Sequence, residues 1–158
     1  MKVIAIDPGY ERMGVAIIEK TKGKEDLLFS ECFKTSPKIL HEERLKHIGQ
    51  EIENLIKKYK PEAMAIETLF FKNNQKTAMR VSEARGVMLY VASSLGLKIA
   101  EFSPMAIKIA VTGYGNSDKE QVVFMVKKLI QTNKDIKYDD EYDAIAAGLT
   151  FFATQNRL

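Results

Sequence analysis

Two short apolar runs, Val3 to Ile6 and Ala63 to Ile66, each stop directly at a carboxylate, Asp7 and Glu67. Four apolar residues are too few for a buried helix, so each run reads as a strand. A charge set against such a run is costly unless it is paired. The chain therefore calls for a sheet whose strand ends gather acidic side chains. Pro8 pushes Asp7 into extended backbone, and Asp7-Pro8-Gly9 turns the chain toward a second strand, Val15 to Ile18. A third strand is expected from Leu27 to Lys34.

Beyond these strands the hydrophobic period changes. Leu45, Ile48, Ile52, Leu55, Ile56 and Tyr59 follow helical spacing that Pro61 ends, and Ala78, Val81, Ala84, Met88, Val91 and Leu95 mark a second long helix closed by Gly96. Leu97 to Phe102 reads as the last strand and Ser103-Pro104 as the start of a short helix. Ser117 with Glu120 resembles a capping box for a helix through Ile130, and Asp140 to Ala153 closes the chain as a helix. This order predicts an α/β fold with a mixed five-stranded sheet and helices on both faces. With 158 residues, a single domain over residues 1–158 is expected. The longest weakly polar stretch, Ala144 to Ala153, is too short to span a bilayer, so no membrane role and a cytoplasmic location are expected.

Asp140 and Asp143 lie three apart at a helix start, hence on one face, and Ala144, Ala146 and Ala147 permit that helix to pack closely on the sheet. Acidic residues complementing the helix dipole are the plainer reading of this pair. Taken with Asp7 and Glu67, however, they make an all-oxygen set suited to Mg²⁺, with Mn²⁺ as an alternative. The lone Cys32 excludes an intramolecular disulfide and a cysteine-based zinc site, and reads as packing. Two ions roughly 3.5–4 Å apart would activate water and stabilise the leaving oxygen in phosphodiester hydrolysis. The net charge of +3 says little. Setting the four carboxylates aside leaves 24 Lys and Arg against 17 acidic residues, or +7, a balance that suits a phosphate-rich partner.

Five ordered segments carry a resemblance. They are Ile6-Asp7-Pro8-Gly9, Ala65-Ile66-Glu67, Ala84-Arg85-Gly86-Val87, the stretch from Gly113 through Lys119 and Gln121 to Val126, and Asp140-Glu141-Tyr142-Asp143-Ala144-Ile145-Ala146. In these the chain resembles the RuvC family of Holliday-junction resolvases over nearly its whole length. The resemblance implies an RNase H-like fold, a homodimer and paired symmetric nicks in four-way junction DNA. It also implies metal binding by Asp7, Glu67, Asp140 and Asp143, and work beside a branch-migration motor of the RuvA and RuvB type. Lys108 and Lys119 match family lysines near the scissile strand, and Phe70 matches its base-stacking aromatic. The chain departs from the pattern at Ala16, where a further glycine is usual, and at Glu141-Tyr142, which replaces a small pair.

Lys76 and Arg80, with Lys72 a turn earlier, lie off the apolar stripe of their helix and are expected to meet phosphate. The small residues Ala84, Gly86 and Ala92 mark the same helix as an expected dimer seam. Two other readings compete. An actin-like kinase would use Asp7 to Gly14 as a phosphate loop but needs two lobes. A DNA-binding module without catalysis would have no use for four acidic positions.

Overall fold

The first strand, β1 (Lys2–Asp7), alternates Val3 and Ala5 on one face with Ile4 and Ile6 on the other, and all four are fully buried. Burial of both faces requires cover on both. The computed structural model describes residues 1–69, 75–132 and 134–155, without the side chains of Gln75 and Lys76. It supplies that cover through β2 (Arg12–Thr21), β3 (Lys24–Lys34), α1 (His41–Tyr59), β4 (Ala63–Glu67), α2 (Gln75–Ser94), β5 (Lys98–Phe102), α3 (Pro104–Thr112), α4 (Lys119–Leu129) and α5 (Asp139–Thr154). The sheet order is β3-β2-β1-β4-β5. β1, β2 and β3 pair antiparallel, whereas β4 pairs parallel with β1 and with β5.

The two faces of the sheet differ in side-chain size. Ile4, Ile6, Val15, Ile17, Met64 and Ile66 pack with Ile48, Ile52 and Leu55 of α1 and with Ala84, Met88 and Ala92 of α2. The opposite face presents Val3, Ala5, Ala16, Ala63 and Ala65 to α5, which answers with Ala144, Ala146 and Ala147, while α3 and α4 close the layer. Small residues on both sides let the α5 backbone lie close to the strands. Two glycines complete the fit. A Cβ on Gly148 would stand 2.6 Å from Ile18 Cδ1, and one on Gly14 would stand 1.8 Å from the backbone oxygen of Asp140.

Every expected element is present, and the α/β class with a five-stranded mixed sheet is as the sequence indicates. One local expectation is corrected. The cap of α4 is Asp118, whose side chain accepts from Gln121 N at 2.8 Å while Asp118 N donates to Gln121 Oε1 at 2.9 Å. Ser117, expected in that role, is buried, and its hydroxyl donates to Tyr114 O at 2.8 Å as part of the turn leaving α3. On α2, the helix expected to form a dimer seam, the three small residues differ in exposure. Ala84 and Ala92 are fully buried in this chain's own core, and only Gly86 stands on the exposed side. Among the described residues no helix is long and apolar enough to cross a membrane.

Gly14→Ala is expected to cost about 3 kcal/mol, the upper end for overpacking, because backbone blocks the new methyl group. Gly86→Ala, where a Cβ meets nothing, should stabilise by about 0.5–1 kcal/mol through helix propensity. Denaturant midpoints of the two variants measure this, and equal midpoints would remove Gly14 as a packing constraint.

Candidate active site

Ile6 and Ile66 are register partners in the parallel pair of β1 with β4, so Asp7 and Glu67 follow at the same level of adjacent strands. Alternation does the rest. Asp7 shares the parity of Val3 and Ala5, and Glu67 that of Ala63 and Ala65, so both carboxylates project to the α5 side. There α5 brings Asp143 in its second turn, α3 brings Lys108 and α4 brings Lys119. A cleft of about 280 Å³ is lined by Asp7, Glu67, Asp143, Lys108 and Lys119, with Pro104, Ile107 and Val122 as its apolar wall.

Charge is crowded in this cleft. Burial first, then the charges of Asp143, Glu67 and Asp140, holds the Asp7 carboxyl well above its ordinary value, with Lys119 opposing. Glu67 is pushed up to about 7 by burial and by Asp143, against Lys108. Asp143 is raised by burial, while Lys119 pulls it down and Asp139 and Asp140 push it up. Lys119 Nζ pairs with Asp139 Oδ2 at 3.1 Å and Asp143 Oδ2 at 3.3 Å. Its partial burial works against the charge, but these two partners raise its pKa overall.

Asp140 stands at the flank of the cleft. Its Oδ2 lies 3.6 Å from Arg12 Nε and accepts a hydrogen bond from the Cys32 thiol at 3.7 Å. Cys32, expected as packing alone, is thus also a neighbour of this carboxylate, and burial together with the charge of Asp140 raises its pKa to about 11. Arg85 is a residue whose role sequence reasoning missed. Its Nε donates to the backbone oxygen of Glu67 at 3.0 Å and its Nη2 pairs with Glu101, so α2 holds the end of β4 in place. Arg85 lay inside a matched motif, yet nothing in its spacing named a strand-end carbonyl as its partner.

Arg80 is exposed on α2, its guanidinium carbon 5.8 Å from the centre of the Tyr10 ring, and it does not line the cleft. Phe70 and Lys72 lie outside the described residues, as does the side chain of Lys76.

Oxygen donors on neighbouring elements, raised in pKa by burial and then by mutual repulsion, are a set that a hard divalent cation would relieve. Among the described residues no three such groups form a ready-made cage. Asp7, Glu67 and Asp143 are the residues of the cleft that could hold such an ion, with Asp140 beside them.

Sheet order, helix layers and an acidic cleft at the ends of β1 and β4 define an RNase H-like protein. A family model described as crossover junction endodeoxyribonuclease RuvC matches residues 3–151. The chain belongs to the RuvC family. A curated relative of that name from Thermosipho melanesiensis is 44% identical over 146 residues, covering 92% of this chain and 93% of the relative. Another, from Halothermothrix orenii, is 42% identical over 149 residues, covering 94% of this chain and 90% of the relative. Among solved structures, Thermus thermophilus RuvC in complex with Holliday junction substrate aligns at a TM-score of 0.90 and 32% identity, covering 99% of this chain and 96% of that one. The yeast mitochondrial Holliday junction resolvase Ydc2 shares the fold, at a TM-score of 0.68 and 14% identity over 98% of this chain and 81% of its own.

The raised pKa of Glu67 has a consequence for stability. Its carboxyl titrates near its ordinary 4.5 in the unfolded chain and at about 7 in the fold. Stability from this group is full below the lower value and is lost as pH rises through the upper one, because the folded state must then hold a charge it disfavours. In divalent-free buffer the Tm of Glu67→Gln should therefore gain on the unsubstituted protein between roughly pH 5 and pH 8. A Tm difference that stays constant or shrinks over that range contradicts the crowded-carboxylate description.

Proposed function

We propose that this protein resolves four-way (Holliday) junction DNA by paired, symmetric phosphodiester hydrolysis, acting as a homodimer in recombination and repair. Mg²⁺ is the proposed cofactor, two ions per site, with Mn²⁺ able to replace it. The observation that carries the reading is the cleft in which Asp7, Glu67 and Asp143 face Lys108 and Lys119. The relatives named for crossover junction cleavage, and the similar Thermus chain described with its junction substrate, favour a junction over other phosphodiesters.

Each group has a role set by its place. Asp7, Glu67 and Asp143 would hold the cations, with Asp140 as the fourth ligand at the flank of the cleft. When bound, the cations supply an activated water and neutralise charge at the leaving oxygen. Lys119 already spends donors on Asp139 and Asp143, which orients the latter, and an ammonium has three donors in all, leaving one for a phosphate oxygen. Lys108 faces the same cleft and is placed to stabilise charge developing on the phosphate. The apolar wall of Pro104, Ile107 and Val122 lowers local polarity and strengthens these contacts. Lys72, Lys76 and Arg80 are proposed to hold flanking phosphates, and Phe70 to stack at an opened base step. A branch-migration motor of the RuvA and RuvB type is the proposed partner.

Labelled four-way junction, duplex and single strand, incubated with and without Mg²⁺, test the activity. Paired nicks confined to the junction and dependent on the ion are expected. Asp7→Asn, Glu67→Gln and Asp143→Asn should each lower cleavage by at least about a hundredfold while junction binding persists, since they remove ion ligands and not phosphate contacts. Near-normal cutting by Asp7→Asn in Mg²⁺ would end the metal reading.

A symmetric dimer is expected because two opposed nicks fall on strands related by the junction's own symmetry. Sedimentation at micromolar concentration should give the dimer mass, and a fully active monomer would defeat this part of the proposal.

A further inference from the structure

Glu141 sits between Asp140 and Asp143 but turns away from the cleft, with its side chain only 5% exposed. Its Oε2 accepts a hydrogen bond from Ser30 Oγ at 2.8 Å and another from Lys134 Nζ at 2.6 Å. The same ammonium donates to the backbone oxygen of Ser30 at 2.5 Å. One buried carboxylate thereby ties three parts of the chain together: the middle of β3, the segment that leads into α5, and the first turn of α5 itself. None of these groups belongs to the cleft described above.

The geometry gives this latch a specific task. The body of α5 is fixed in the core by Ile145, Leu149 and Phe152 beside the close-packed Ala144, Ala146, Ala147 and Gly148, but its first turn, which carries Asp139 and Asp140, stands at the edge of that packing and has few large apolar anchors of its own. Hydrogen bonds to a buried charge are directional, and leaving that charge unpaired is costly, so they resist both sliding and turning. Ser30 is the register partner of Ala16, and Cys32 that of Gly14, the residue lying against the backbone oxygen of Asp140. The latch thus grips α5 within a few residues of the point where the helix start meets the sheet.

We propose that Glu141, with Lys134 and Ser30, is a positioning residue. It sets the rotation and level of the first turns of α5, and so the placement of Asp143 and Asp140 relative to Asp7 and Glu67 for holding a divalent cation. The proposal rests on the metal-binding reading above and adds to it a determinant of ion affinity that lies outside the cleft.

Mn²⁺ alone is the probe, titrated calorimetrically into the full-length protein well below its melting temperature, without DNA. Asp143→Asn establishes that binding is at the cleft. Glu141→Ala, Lys134→Ala and Ser30→Ala are compared with Lys134→Arg, which keeps a cation, and a melting curve is taken for each. Loss of an outer partner that orients metal ligands typically costs 10–100-fold in affinity, so the half-saturating Mn²⁺ concentration should rise by about tenfold in Glu141→Ala and Lys134→Ala. Lys134→Arg should stay near the unsubstituted value. Should Glu141→Ala fail to fold, the Ser30 and Lys134 variants carry the test, because Lys134 is half-exposed and each removes only part of the latch. Unchanged Mn²⁺ affinity in those two variants, even with lowered melting temperatures, would overturn the proposal and leave a stabilising contact only. Absence of Mn²⁺ binding by the unsubstituted protein would overturn the metal reading and the latch proposal with it.

Discussion

The rest of the structure depends on how closely the α5 backbone lies on β1 and β2. Gly14 has no side chain because the backbone oxygen of Asp140 occupies the space where its Cβ would be. Gly148 is equally confined, against Ile18 and Ala5. This explains the unequal faces of the sheet. Large residues fill the gap beneath α1 and α2, whereas alanines on both strands and helix remove the gap beneath α5. Were α5 held off by ordinary side chains, Asp143 would stand back from Asp7 and the cleft would lose a wall.

Close packing also concentrates negative charge where water is scarce. Asp7, Glu67 and Asp143 are all raised in pKa, with burial the largest cause for each. Such a cluster weakens the fold around it, and the remaining structure compensates. Lys119 pairs with Asp139 and Asp143, Arg12 lies beside Asp140, and Arg85 secures the backbone at Glu67. The cations thus do more than lower net charge: each ties a different element to the acidic centre.

The turn that follows Asp7 is restrained from the opposite face. Thr35 Oγ1 donates to Tyr10 O at 2.5 Å and accepts from Arg44 Nε at 2.8 Å, and Thr35 N donates to Glu11 O at 3.1 Å. Arg44 is buried in α1 and stacks over the Tyr10 ring at 4.8 Å. Both helix layers therefore bear on the carboxylate at the end of β1, one through close backbone approach and the other through a buried guanidinium.

Much of this was legible in the sequence, because it is local. Apolar period, proline and glycine positions fixed each element to within a few residues, and Asp7 and Glu67 stood out as charges set directly against buried runs. Parity along a strand even settles which face each one takes, once the strand pairing is known. Partners distant in sequence were not legible. Even a near neighbour misled: Ser117 with Glu120 read as the cap of α4, but the reciprocal hydrogen bonds of Asp118 with Gln121 and that of Ser117 to Tyr114 O put the cap one residue later. That Ala84 and Ala92 are fully buried against this chain's own sheet could not be read from their spacing. Glu141 could be read only as a departure from a family pattern, since its partner Ser30 is 111 residues away. Periodicity reports how a residue relates to its own helix or strand. Which strand lies beneath that helix, and which buried charge meets which donor across the gap, is a property of the packed chain and was decided there.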